Sequence, residues 1–285
     1  MEKKIISVIK YFSFFAYHPT LDEIHTFLQV KISKNELKME LDHLKYTPPQ
    51  YSIGKEISNI KYKKSKIKLN KWRYKAYIRL LSIFPQIKLV GLSGSISMMN
   101  AGKDDDIDLF IITQKERLFT GRFLATIFAY IMRLKRGLNE HKAPNKVCLN
   151  LFFDEKNMAV PEFKQTEYVA HEILQMKPII NKNQTYEKFL EVNKWVFRLF
   201  PNGKNKSEIR NPKSEIIFKF KNFQNSNLFR VSNFVLRIFS NNWLENLLKN
   251  LQLKLINYHR TTEIITSTQL WFHPDDFEKK INANY

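Results

Sequence analysis

Two neighbouring segments decide the fold: residues 89–95, which read LVGLSGS, and residues 106–113, which read DIDLFIIT. Residues 87–92 are mostly apolar, which predicts a strand that ends where small polar residues begin at Ser93. The second segment starts with alternating acidic and apolar side chains, which predicts another strand. A loop of ten residues joins the two segments. We therefore expect both segments to lie on one rigid sheet.

The second segment places two carboxylates side by side. Asp106 and Asp108 are two positions apart, so their side chains point to one face of the strand, while Ile107, Leu109 and Ile111 point to the other. Two adjacent carboxylates make a poor core but good ligands for a hard divalent cation such as magnesium. The start of this strand is therefore a candidate metal site.

The turn after the first strand suits a phosphate. Gly94 lets the backbone approach a ligand closely, because it has no side chain. Exposed backbone amides and the hydroxyl of Ser95 are donors that a phosphate oxygen accepts. The turn and the carboxylate pair together predict a site for a phosphate-bearing ligand.

These residues resemble the signature of the DNA polymerase β superfamily of nucleotidyltransferases. That signature is a Gly-Ser pair, a spacer of about ten residues, and two acids separated by one apolar residue; the matching positions are Gly94, Ser95, Asp106, Ile107, Asp108 and Leu109. The resemblance implies that Gly94 and Ser95 bind the nucleotide and that Asp106 and Asp108 hold Mg²⁺ or Mn²⁺. It also implies in-line transfer of a nucleoside monophosphate from NTP to a hydroxyl, with release of pyrophosphate.

A third acid is less easily placed. Members of the superfamily usually carry one on a later strand, and residues 146–154, KVCLNLFFD, are the best such strand here. Asn150 stands mid-strand, and its amide can bind a metal but is no useful base. Asp154 shares its face four residues further on. Three alternatives stay open: Asn150 substitutes, Asp154 serves, or the site is weakened or inactive. Asn150 is also compatible with a polar residue that only caps a buried strand.

The composition indicates a globular, basic protein. The chain has 285 residues, 44% of them hydrophobic, and carries 47 Lys and Arg against 27 Asp and Glu, a formal charge of +20. Such an excess favours a polyanionic partner, and RNA is expected rather than DNA. The single cysteine, Cys148, excludes an intrachain disulfide and predicts a cytoplasmic location. No uncharged run is long enough to predict a transmembrane helix.

The N-terminal region, residues 1–70, predicts a winged-helix-like module. A helical pattern over residues 4–16 is followed by capping boxes at Thr20 and Ser33, and residues 51–57 favour a hairpin. Winged helices often bind nucleic acid. The helix after Ser33 mixes bases with acids, so packing against the catalytic domain or dimerisation is the alternative.

A stretch of bases and aromatics occupies residues 61–75. Alternating bases and aromatics can neutralise phosphates and stack on nucleobases. The alternative is a solvated helix whose aromatic side chains enter the core. The expected nucleic-acid contacts are Lys63, Lys64, Lys66, Lys68, Lys71 and Arg73.

The whole pattern predicts an α+β protein with a nucleotidyltransferase-type mixed-sheet core over residues 71–160 and a helical region over 161–285. Helices are expected over 167–177 and 185–200, with a basic linker at 203–227. A basic amphipathic helix at 229–256 could pack on the core, bind nucleic acid or lie on an anionic membrane.

The functional expectation is a metal-dependent nucleotidyltransferase that uses NTP and acts on a nucleic-acid hydroxyl, such as that of tRNA or another RNA. One alternative is a nucleic-acid-binding protein whose transferase site is degenerate. Another is nucleotidylation of a protein or small molecule, because a fold does not fix the acceptor.

Overall fold

The computed structural model describes residues 1–46, 54–137, 143–203, 239, 241–259 and 262–272, and for residues 54–59 and 259 it describes the backbone alone. Within these residues a six-stranded sheet has the order β4-β1-β2-β3-β6-β5. The strands are β1 (Ile87–Leu92), β2 (Ile107–Thr113), β3 (Val147–Asp154), β4 (Lys177–Asn181), β5 (Ile264–Ile265) and β6 (Gln269–Trp271).

Helices precede the sheet, connect its strands and follow them. The longer helices are α1 (Glu2–Phe14), α2 (Leu21–Phe27), α3 (Lys34–His43), α4 (Gly54–Asn70), α5 (Trp72–Ile83), α7 (Leu118–Ile131), α8 (Glu167–Gln175), α9 (Thr185–Val192) and α11 (Asn242–His259). Two helices of a single turn are α6 (Gly94–Ser97) and α10 (Val196–Leu199). The predicted capping boxes at Thr20 and Ser33 are confirmed at the starts of α2 and α3.

The sheet is mixed. Strand β2 pairs antiparallel with β1 and parallel with β3, while β4 and β6 pair antiparallel with β1 and β3. The predicted combination of helices with a mixed sheet is therefore confirmed at the level of fold class. Because β1 and β2 are antiparallel, the end of β1 and the start of β2 lie at one edge of the sheet.

Both faces of the sheet are buried. From β2, Phe110 and Ile112 enter one core, while Leu109 and Ile111 enter the other. The first core includes side chains from α1, α2, α3, α8 and α9, and the second includes side chains from α5, α7 and α11. Helices α1, α2 and α3 thus pack on the same face of the sheet as α8 and α9, whereas α11 packs on the other face.

Three sequence expectations need correction. Residues 54–57, expected in a hairpin, begin α4, and residues 51–53 lie outside the described residues. The expected helix end at 177 is instead the start of β4; its Pro178 is tolerated because β4 is an outer strand of the described sheet. The helix expected over 185–200 is broken at Asn193, whose buried side chain accepts a hydrogen bond from the Val160 amide.

Two further expectations fall partly outside the described residues. The linker at 203–227 does so from residue 204 onward, and the helix at 229–256 is described continuously only from 241. That described part, α11, packs on α7: Glu245 accepts hydrogen bonds from the amides of Phe119 and Thr120. Strands β5 and β6 were not expected from the sequence. Among the described helices, none is both long and apolar enough to cross a membrane.

Candidate metal and nucleotide site

The turn between β1 and α6 requires its glycine. Gly94 has a φ of +57°, a conformation that other residues adopt at a cost. A Cβ atom placed on Gly94 would lie 2.6 Å from Oδ2 of Asp108. The Ser93 amide donates to the backbone carbonyl of Asp108 over 3.1 Å. The turn and the second aspartate are therefore in direct contact.

The two aspartates converge at the start of β2. Ligand atoms of Asp106, Asp108 and Cys148 all lie within 4.8 Å of one another. Cys148 stands opposite Asp108 in the parallel register of β3 with β2, which explains why its sulfur reaches the pair. The arrangement brings two carboxylate groups to one point on a rigid strand.

Each aspartate has a partner from another element. Nη1 of Arg136 lies 2.7 Å from Oδ2 of Asp106 and forms an ion pair with it. Nδ2 of Asn150 donates to Oδ1 of Asp108 over 2.8 Å, and the Cys148 thiol donates to Oδ1 of Asn150 over 2.6 Å. These contacts fix the orientation of the Asn150 amide and of the carboxylate that it contacts.

The surroundings of Asp108 disfavour its ionised form. Its pKa is raised to about 8, first by burial and then by the negative charges of Asp106 and Glu172, while Arg136 acts in the opposite sense. Burial likewise raises the pKa of the Cys148 thiol far above its ordinary range. A cation between the two aspartates would offset the repulsion between them.

We expect the contribution of Asp108 to the stability of the metal-free protein to fall as pH rises from about 4 to 8. In that window the folded state keeps a proton on Asp108 that the unfolded state releases, because the pKa is raised by folding. The free energy of unfolding of the wild type minus that of Asp108→Asn, measured by urea titration in EDTA, should decrease as pH rises through this window. Identical slopes for the two proteins would contradict the raised pKa.

Hydrogen bonds of Asp105 and Lys68 hold the loop between the turn and the aspartates. Oδ2 of Asp105 accepts from Oγ of Ser95 over 3.2 Å and from the Gly102 amide over 2.7 Å. Nζ of Lys68, on α4, donates to the carbonyls of Lys103 and Asp105. Lys68 is buried, and burial lowers its pKa. It therefore anchors the loop, and its expected role as a surface contact to nucleic acid is corrected.

The structure separates the two candidates for a third polar group. Asn150 lies in the site, as its bond to Asp108 shows. Asp154 lies at the other end of β3, opposite Thr113, about 16 Å along the strand from the level of Asp108. It is buried, and its Oδ1 accepts from the Lys156 amide over 2.7 Å. Asp154 therefore holds a turn away from Asp108, and the alternative in which it serves as a third acid beside Asp106 and Asp108 is corrected.

Helix α8 supplies an acid that no motif had indicated. Oε2 of Glu172 accepts a hydrogen bond from Oγ of Ser93 over 2.6 Å and from the Gly94 amide over 3.2 Å. Its neighbour His171 is different: the ring is stacked between Tyr11 and Phe27 in the core, and burial lowers its pKa well below the usual range. Arg136 was missed as well, because it follows α7 without any local pattern around it.

The remaining bases of the stretch at 61–75 form a surface that we call the α4–α5 basic surface. An open groove of about 440 Å³ is lined by Lys63, Lys66, Ile67, Asn70 and Lys71. Trp72 is 69% exposed, whereas Tyr74 is buried. The other exposed bases are Lys64 and Arg73. Bases and two aromatic side chains, Trp72 and the 41% exposed Tyr62, are thus available to a ligand on this stretch. Lys68 links the same helix to the loop beside Asp106.

No protein-family model, curated protein or solved structure matches this chain. The described residues define a class, a mixed α/β fold with paired carboxylates at one edge of its sheet. What this site can bind therefore has to be inferred from its own side chains and backbone groups.

Proposed function

We propose that this chain is a metal-dependent nucleotidyltransferase of the DNA polymerase β type, which moves a nucleoside monophosphate from NTP to a hydroxyl group. The observation that carries the proposal is the direct contact between the Gly94 turn and Asp108, with Asp106 beside it. A turn that suits a phosphate and a pair of carboxylates thereby lie at one edge of a rigid sheet. A reaction at this edge would have the fixed geometry that it needs.

The residues present fit Mg²⁺ or Mn²⁺. Asp106 and Asp108 would hold the ion, because hard cations prefer carboxylate oxygens. Cys148 is a poor ligand for such a cation, since its thiol is soft and its raised pKa keeps it protonated. When bound, the ion would supply positive charge that stabilises the phosphate oxygens of the nucleotide.

The other residues of the site would hold the nucleotide phosphates and the Asp108 carboxylate in position. To donate to the phosphates, the Ser95 hydroxyl and the Gly94 amide would exchange their present acceptors, Asp105 and Glu172, for phosphate oxygens. Asn150 fixes Asp108 through its amide. The acceptor hydroxyl gives its proton to solvent water and forms a new bond to the α-phosphorus, while the bond from that phosphorus to pyrophosphate breaks and pyrophosphate leaves. Asn150 cannot take the proton, because a neutral amide is not a useful base.

The acceptor that charge favours is a nucleic acid, and we propose RNA. The formal charge of +20 and the α4–α5 basic surface both suit a phosphate backbone. Lys68 connects α4 to the loop that precedes Asp106, so an RNA bound there would lie near the carboxylates. A cytoplasmic setting belongs to this proposal, since the chain has one cysteine.

A second candidate is a nucleic-acid-binding protein with a degenerate transferase site. The observation that favours it is Asn150, which occupies the position beside Asp108 without offering a base. It predicts salt-sensitive RNA binding with no NTP turnover. Turnover that depends on Asp108 would exclude it. Nucleotidylation of a protein or small molecule is the third candidate, and the charge of the chain favours it less.

Binding of Mn²⁺ tests the metal site directly. We expect isothermal titration to give about one strong binding event. Asp106→Asn should weaken it at least about 10-fold, because this substitution removes a negative charge and a ligand of the ion. Asp104→Asn is the matched control: it changes the same charge in the same loop, at an exposed position. Equal weakening by both substitutions would mean that only the net charge of the loop matters.

We expect Gly94→Ala to disrupt the site more than it disrupts the fold. The positive φ predicts a loss of about 1–2 kcal/mol in the free energy of unfolding, and the new Cβ displaces the Asp108 carboxylate. Mn²⁺ affinity should fall together with stability in urea unfolding. Gly102→Ala is the control: Gly102 is not among the described glycines with positive φ, and a Cβ there would need only a small shift of the Asp105 side chain, which it would approach to 3.3 Å. Wild-type Mn²⁺ binding by Gly94→Ala would contradict the close contact.

A further inference from the structure

Glu172 and Asp108 flank the same glycine. Oε2 of Glu172 lies 3.2 Å from the Gly94 nitrogen, and Oδ2 of Asp108 fills the space where a Gly94 side chain would be. Standard backbone geometry puts the two carboxylates within about 8 Å of each other. Glu172 comes from α8, at a distance of more than sixty positions along the chain from Asp108. The fold, and no local motif, brings the two together.

The negative charge of Glu172 is not needed for its hydrogen bonds. A glutamine at this position could accept from Ser93 and Gly94 through its amide oxygen in the same geometry. The carboxylate adds repulsion toward Asp106 and Asp108, which glutamine would avoid. Arg136 faces this group of acids and is ion-paired with Asp106. Lys68, the nearby base on α4, is bonded to backbone carbonyls of the loop.

We propose that Glu172 is a third acid of this site, which holds the Ser93–Gly94 turn and adds the negative charge that makes Asp106 and Asp108 bind a divalent cation tightly. This inference rests on the proposed function, because it assumes a cation at the two aspartates. It assigns Glu172 a positioning and electrostatic role: it acts on the turn and on the cation through space, and no proton transfer is assigned to it.

Two substitutions separate charge from hydrogen bonding. Glu172→Gln keeps an acceptor for Ser93 and Gly94 but removes the charge, and we expect it to weaken Mn²⁺ binding about 10-fold. Glu172→Asp keeps the charge but shortens the reach to Ser93, and we expect Mn²⁺ affinity within about 3-fold of wild type. Glu191→Gln on α9 is the control, since Glu191 is an exposed acid paired with Lys194. Isothermal titration with Mn²⁺ alone gives the affinities, and circular dichroism verifies folding.

Each outcome decides the matter. Unchanged Mn²⁺ affinity in Glu172→Gln overturns the inference, and tighter nucleotide binding in that variant would show that Glu172 competes with phosphate instead. If Glu172→Gln fails to fold, Glu172→Asp is the remaining test: Mn²⁺ affinity within about 3-fold of wild type supports the electrostatic role, and a larger loss in a variant that keeps the charge overturns it. If wild type and Asp108→Asn bind Mn²⁺ equally, the proposed function fails first, and that result differs from a failure confined to Glu172.

Discussion

Asp108→Asn is expected to lower the rate of nucleotide transfer at least about 1,000-fold while the protein stays folded. Metal-assisted stabilisation of the transferred phosphate supplies several kcal/mol, and about 4 kcal/mol corresponds to that factor. Folding should persist because asparagine has the same shape and is uncharged, and the raised pKa of Asp108 shows that this position disfavours charge in the metal-free protein. Asparagine can also still accept the hydrogen bond from Asn150.

The measurement is the initial rate of transfer of radioactive label from NTP to RNA at saturating Mg²⁺. Asp104→Asn serves as the control, because it removes an exposed acid two positions before Asp106. We expect the control to keep most of the wild-type rate. A rate for Asp108→Asn above about one tenth of wild type would show that this carboxylate is not needed in the reaction.

Reversing three charges on the α4–α5 basic surface is the second large expected effect. Lys63→Glu, Lys66→Glu and Lys71→Glu together should weaken RNA binding about 100-fold at moderate salt. They should also reduce the dependence of log affinity on log salt concentration by about 2, since each lost phosphate contact contributes about 0.7 for a single strand. These lysines are exposed and line one groove, so their loss should leave the core intact.

A fluorescent RNA measured by anisotropy over a range of salt concentrations tests this expectation. The control reverses Lys3, Lys4 and Lys10, three exposed lysines of α1, and therefore makes the same change in net charge on another surface. If both triple variants bind RNA equally weakly, the charge of the whole chain matters and the α4–α5 basic surface has no special role.

The sequence predicted the central elements of the site because their determinants are local. The alternation around Ile107 and the break at Ser93 predicted two strands and the turn between them, and the structure has both. Asp106 and Asp108 share an edge with Gly94 because an antiparallel pair necessarily brings those ends together. The capping boxes of α2 and α3 are local in the same sense.

Other features depend on contacts that are distant along the chain. Glu172 lies on an amphipathic helix whose pattern records only its buried face, and Arg136 follows α7 in a segment with no periodicity. Strands β5 and β6 are only two and three residues long, too short for a periodic signal. Lys68 was grouped with surface bases because composition does not distinguish an exposed lysine from one whose amine reaches buried carbonyls.

The position of Asp154 shows that two residues on the same face of a strand need not lie in the same site. Asn150 and Asp154 share one face of β3, but only Asn150 is level with Asp108. The register of two strands that are joined by a helix cannot be read from either strand. Their pairing alone showed which of the two residues belongs to the site.

The most direct test of the central claim is label transfer from α-³²P-labelled NTP, offered with Mg²⁺ and a cell lysate to the wild type and to the double variant Asp106→Ala, Asp108→Ala. The proposed function predicts that the wild type makes a labelled product that RNase destroys and protease does not, and that the double variant makes none. Label that protease removes would identify a protein acceptor. Transfer that persists undiminished in the double variant, or its absence from the wild type with every NTP, would contradict the claim.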